Sequence, residues 1–269
     1  MHPRFNTVHD GCRTIEQGFQ DLITNKQRAA ENRFLAADCA LESPKDVFAY
    51  ACNRIGDSLV RDGFKYAKSG PKSSRQAGDF SFEVSFSSDH YNVAGKHVAL
   101  AVCGLVQSNH FKKWQKASAL LNPTGFVVSG QLGYLTTEHL ELQWELANPE
   151  SRGAVIDGAV RAIREIAFPF FARFNDMPQL RLDLQHHRVP MMDIACTIDF
   201  LMCFGSRAEA IIAGRNFLQQ RQDLIEPYRQ ELKLVRGREP LRVRGRGWAN
   251  ELANISRFYD LGDLAESQA

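Results

Sequence analysis

Phe80, Phe82, Val84 and Phe86 alternate with Ser81, Glu83 and Ser85. A period of two puts every apolar side chain on one face of an extended strand. A strand patterned this way needs neighbours in a ladder and a cover for its apolar face. Three further segments read as strands. Val98–Val106 sets Val98, Leu100 and Val102 against the small Ala99, Ala101 and Cys103. That is the pattern of a central strand covered on both sides, with helix as the open alternative. Phe126–Tyr134 keeps Phe126, Val128, Leu132 and Tyr134 in phase, and Gly130 and Gly133 mark a bulge or a close approach. Leu140, Leu142, Trp144 and Leu146 alternate with Glu141, Gln143 and Glu145, giving a fourth strand with a charged outer face. Only 109–121 has room for a helix between strands, with Phe111, Trp114, Ala117, Leu120 and Leu121 at helical spacing. The expected fold is therefore α+β: a four-stranded antiparallel meander flanked by helices, followed by a helical C-terminal region.

A helix precedes the strands. Ser43 is placed to cap it, Pro44 fits the first helical position, and Asp46 suits the positive end of the helix dipole. Val47, Phe48, Ala51, Ile55 and Leu59 form one stripe, and Gly63 is a stop signal. From Lys65 to Gly78 the chain turns polar and reads as a basic loop with its tip at Ser69-Gly70-Pro71.

Three regions follow from these patterns. Residues 1–42 read as an N-terminal helical arm, with Ile15, Phe19, Leu22 and Ile23 at helical spacing. Residues 43–188 form the α+β core, and 189–269 the helical region, which either shares that core or stands apart. Pro169 is expected to kink or end the helix that carries Val155, Ala159, Ile163 and Ile166. Leu180–Leu184 reads as short strand or loop, and Met191–Phe204 as a helix apolar nearly all round.

Composition excludes some classes. With 44% hydrophobic and 24% charged residues the chain is an ordinary globular one, not a disordered one. A net charge of +2 does not by itself imply a polyanionic partner. The six cysteines, at 12, 39, 52, 103, 196 and 203, show no Cys-x-x-Cys spacing, and several lie in apolar runs. They read as reduced, buried thiols. No signal-peptide core opens the chain, and no run nears the about 18–20 apolar residues of a membrane span. A cytoplasmic location without membrane contact is expected.

Chemical signals are weak. Arg236, Arg238, Arg242, Arg244 and Arg246 crowd a Gly-containing stretch that ends at Trp248. Arginine forks bind phosphate in two-pronged fashion, so this stretch, with Lys68, Lys72 and Arg75, is a candidate phosphate or nucleic-acid contact. The plainer account is a solvated loop whose arginines pair with nearby acids such as Glu226, Glu231 and Asp260. Glu138, Glu141 and Glu145 form a candidate acidic face for a basic partner, or simply the wet side of a sheet. His186-His187 beside Asp183 lacks the spacing of known zinc sites. No nucleotide-binding glycine motif and no nucleophile elbow occurs, so neither catalytic residues nor a cofactor are expected.

Asp62-Gly63-Phe64-Lys65, the basic segment after it, the strand Phe80–Phe86 and the later Pro169-Phe170-Phe171 together are similar to a bacterial family of domains of unknown function. That family has a Gly-Phe-Lys/Arg turn leading to an antiparallel sheet, and the resemblance covers Ser43 to about Asp263. Some such families include immunity proteins that bind and block a cognate toxin. The resemblance implies a non-enzymatic binding protein with a toxin or defence-system component as partner. The alternative is a nucleic-acid or phosphate-binding protein of a defence system, acting through 236–246.

Overall fold

The structure, a computed structural model, describes residues 43–118, 123–237 and 247–266. The expected arm at 1–42, and Arg238, Arg242, Arg244 and Arg246, lie outside the described residues. Helix α1 (Pro44–Leu59) starts as its sequence dictates. Ser43 Oγ accepts a hydrogen bond from the Asp46 N–H at 3.2 Å. The stripe Val47, Ala51, Ile55 and Leu59 is buried, and Gly63 ends the segment in the left-handed region, at a φ of 83°.

Strands β1 (Lys65–Ala67), β2 (Lys72–Ala77), β3 (Phe80–Ser88), β4 (Ala99–Ser108) and β5 (Phe126–Gln131) follow one another antiparallel across the sheet. A short β6 (Trp144–Glu145) also pairs with β4. The segment expected to be a basic loop is thus a hairpin, β1–β2, and the sheet is larger than four strands. Its alternation is hidden because the residues that point inward are Tyr66, Ser73 and Arg75 rather than aliphatics.

The last two strands also differ from expectation. β5 stops at Gln131, and Leu132–Leu135 form a 3-10 turn. Of the segment 140–146 only Trp144 and Glu145 join the ladder, against β4 and not β5. Gly133 explains the turn-back: a Cβ there would lie 1.8 Å from the Leu140 carbonyl oxygen, so only glycine lets the returning chain cross. The alternation survives in burial, with Leu146 buried, Leu142 and Trp144 half-buried, and Glu141, Gln143 and Glu145 exposed. β5 and β6 share one edge of β4, β5 beside Cys103–Gln107 and β6 beside Ala99 and Leu100.

Phe80, Phe82, Val84, Phe86, Val102 and Val106 are buried on one face of the sheet. On the reverse face Ser81, Glu83, Ser85, Ala101, Cys103 and Leu105 are half-buried. β4 is therefore fully covered on one side only, contrary to the reading of its small residues. The cover is largely aromatic: Phe171 stacks on Phe82 at 5.0 Å and Phe174 meets Phe80 at 5.2 Å between ring centres.

Those rings come from the helical part. It comprises α2 (Asn109–Ala117) between β4 and β5, then α3 (Pro149–Ala162), α4 (Phe168–Ala172), α5 (Met177–Gln185), α6 (Ile194–Phe204), α7 (Arg207–Gln220), α8 (Ile225–Arg236) and α9 (Trp248–Phe258). Pro169 does not end the run, which continues helical to Asn175. A π-turn, Ile163–Ala167, precedes it, in which the Phe168 N–H reaches the Ile163 carbonyl. The wider turn accommodates a residue with no N–H to give. The 180–184 stretch is helix α5, because the Asp176 carboxylate accepts from the Gln179 N–H at 3.1 Å and caps it. α6 begins at Ile194, after the cap Asp193, and not at Met191. One continuous core joins α1, the sheet and the helices through α9, from Val47 to Leu264. Among the described residues no helix is long and apolar enough to cross a membrane.

Candidate functional site

The link between β3 and β4, residues 89–97, stands out from the surface because it is both ordered and aromatic. Asp89 turns the chain by accepting from the Tyr91 N–H at 2.9 Å. Asn92 donates to Ser88 Oγ at 2.7 Å and accepts from the Ala99 N–H at 2.9 Å, tying the two strand ends together. Val93 and His97 exchange backbone hydrogen bonds, at 2.7 and 2.9 Å, across a tight turn containing Gly95. The product is a pinned loop that nevertheless leaves Tyr91 71% and Val93 49% exposed.

Glu145 of β6 anchors this loop from the side. One carboxylate oxygen accepts from the backbone N–H of Val98 at 2.7 Å and of Ala147 at 2.8 Å. The other lies 2.5 Å from His97 Nδ1. The far ring nitrogen, Nε2, faces Asp89 at 3.8 Å, and His90 Nδ1 lies 3.4 Å from the other oxygen of Asp89. Partial desolvation pulls the Glu145 carboxyl up, but the Val98 and Ala147 N–H groups, with His97, bring it below its ordinary value. Asp89 is held low chiefly by the Tyr91 N–H, with His90 and His97 adding to the effect.

The acidic candidates lie near one another in the chain but differ in role. Glu145 is a structural anchor as well as an exposed acid, whereas Glu138 and Glu141 sit exposed on the 136–143 return. Among the described residues the basic candidates differ in role. Lys72 of β2 pairs with Glu83 of β3 at 2.7 Å. Arg75 points inward, its guanidinium 4.9 Å from the Phe64 ring centre and 5.8 Å from those of Phe82 and Phe168. Its Nη1 donates to the Asp62 carbonyl at 3.1 Å. Lys68 on the β1–β2 turn and Arg236 at the end of α8 are exposed.

The remaining chemical signals have structural partners. His187 Nε2 lies 2.9 Å from the Ala213 carbonyl oxygen, and burial holds its pKa down. Asp183 accepts from Gln179 at 2.9 Å and lies 3.5 Å from Arg173. Burial pushes the thiols of Cys52 and Cys203 up to about 12, so neither is a thiolate at neutral pH. Among the described residues no group of three or more His, Cys, Asp or Glu is arranged to hold a metal ion.

Sequence reasoning missed Asp89, Asn92 and His97. Asp89 and Asn92 carry a signal, since both residue types lock turns by bonding to backbone. His97 carries none, because its partner Glu145 is 48 positions away. Comparison with protein-family models, curated proteins and solved structures gives no match.

Proposed function

We propose that the protein is a non-enzymatic binding protein of the cytoplasm, of the immunity type, which blocks a toxin by seating it on the 89–97 loop and its acidic flank. The observation that supports this reading is Tyr91, exposed on a loop that is already pinned at both ends. Tyrosine is among the residues that carry most of the energy of protein interfaces. A loop fixed before binding loses little conformational freedom when a partner arrives. Asp89 and Glu145 bring two carboxylates to it, and the exposed Glu138 and Glu141 lie on the return that leads into Glu145, against one loop lysine, Lys96. That charge balance suits a basic partner and speeds its approach.

Affinity-tagged protein expressed with the neighbouring reading frames of its own genome tests the proposal. Co-purification of one small basic protein is expected, with retention lost or cut at least about tenfold by Tyr91→Ala, a cost of about 1.4 kcal/mol or more. Equal retention by wild type and Tyr91→Ala would remove the loop from the interface. Recovery of nucleic acid in place of a protein would overturn the reading.

A further inference from the structure

Helix α2 carries Lys112, Lys113 and Lys116 and no acidic residue. Asn109, Lys112, Lys113 and Lys116 recur at the three- and four-residue spacing that keeps side chains on one face of a helix. All four are exposed. Among the described residues none of the three lysines takes part in an ion pair. Like charges three and four positions apart on a helix repel, so the face carries a cost that a partner's negative charge relieves. The helix is also fixed from beneath. Ser108 caps it by accepting from the Phe111 N–H at 3.1 Å, and Gln115 accepts from the Gly125 N–H of the chain entering β5 at 3.0 Å. We propose that this lysine face is a docking surface for the sugar–phosphate backbone of a nucleic acid, bound without regard to base sequence.

The chemistry of the face selects this partner. The apolar side of α2 is already used: Phe111 is buried, and the half-buried Trp114 meets the rings of Phe111 at 5.7 Å and Tyr259 at 6.1 Å. No large apolar side chain of α2 is exposed. A helix that lies in a membrane surface needs an apolar face to bury among the acyl chains. The core of a protein interface needs aromatic or aliphatic anchors and is poor in lysine. Phosphate needs neither, since lysine and asparagine side chains contact it through charge and hydrogen bonds alone. The acids beside the packing partners of α2 are engaged. Asp199 accepts from the Tyr259 hydroxyl at 2.7 Å, and Asp260 lies 3.7 Å from Arg207. The ten residues of β4 separate α2 from the 89–97 loop, a span of about 30 Å. The two surfaces therefore act independently, and a nucleic acid on α2 leaves the loop open.

Fluorescence anisotropy of a short labelled DNA duplex of mixed sequence, titrated with the nuclease-treated full chain, tests the proposal. Dissociation constants of about 1–100 μM are expected near physiological salt. Three phosphate contacts give a log–log salt slope of about −2.7, a fall in affinity of about 40-fold between about 50 and 200 mM salt. Each of Lys112→Gln, Lys113→Gln and Lys116→Gln should make the slope shallower by about 0.9, and the three together by about 2.7. Arginine at all three positions should keep the slope, because the charge is kept. A duplex of unrelated sequence should bind within about twofold, as backbone contacts carry no sequence information. Tyr91→Ala should bind the duplex as wild type does, so failure of the toxin reading and failure of this one are told apart. No binding at the lowest salt, or a slope unchanged in the triple glutamine variant, would overturn the proposal. So would retention on phosphatidylserine vesicles by a chain that does not bind the duplex.

Discussion

The Arg75 guanidinium lies 4.9 Å from the centre of the Phe64 ring, held between the sheet and the helix that carries Phe168. A cation placed over several rings and bonded to the Asp62 carbonyl is part of the packing. Arg75→Ala is expected to lower unfolding free energy by about 1–3 kcal/mol. Lys72→Ala, which removes an exposed ion pair, should cost less than about 1 kcal/mol. Urea denaturation of the two variants checks the difference. Equal effects would mean that Arg75 is a surface residue in solution.

Ser73 is fully buried on β2, and its hydroxyl has no hydrogen-bond partner among the described residues. An unmet buried hydroxyl costs about 1–3 kcal/mol. Ser73→Ala removes that cost without opening a large cavity. The variant should be as stable as wild type or up to about 1 kcal/mol more stable. A loss above that amount in the same denaturation assay would show that the hydroxyl is satisfied in solution.

Gly56 sits inside α1, where alanine would ordinarily stabilise a helix by about 1 kcal/mol. Here a Cβ would lie 2.4 Å from Tyr66 Cγ. Tyr66 must move, and overpacking of this kind costs about 1–3 kcal/mol. Gly56→Ala is therefore expected to be destabilising, opposite in sign to helix propensity. Thermal unfolding decides: a raised Tm would show that β1 yields freely.

Glu145 and Asp89 both have carboxyl groups below their ordinary range in the folded chain. A depressed folded value means that their stabilisation is present above about pH 4, the unfolded value, and is lost as pH falls through the folded one. Glu145→Gln should be less stable than wild type at pH 6 by about 0.5–1 kcal/mol, a modest amount because the side chain is half exposed. The two stability curves should converge below about pH 3. A constant gap across that range would assign the loss to packing instead.

Much of the scaffold was legible in the chain. The Ser43 cap, the α1 stripe, the Phe80–Phe86 alternation and the helix in 109–121 all follow from local spacing. The β1–β2 hairpin was not legible, because Ser73 and Arg75 face inward and no alternation of apolar residues betrays them. Nor was the end of β5, since the fold-back over Gly133 depends on a contact with Leu140 that spacing does not show. The candidate site was the least legible part. Its exposed Tyr91 is unremarkable in sequence, and its anchor joins His97 to Glu145 across the whole of β4, α2 and β5.

β4 acquires its second edge in two instalments, from β5 and then from β6. A chain that ended before Trp144 would leave the Ala99–Leu100 edge open, next to apolar Val98 and Val102, and would also lose α3–α9 and with them Phe171 and Phe174, which cover the sheet. Open apolar edges are templates for pairing with other molecules. Truncation just ahead of residue 144 is therefore expected to yield aggregating protein. For anyone trimming this chain to a smaller fragment, the strand edge and the helical cover of the sheet have to be kept together.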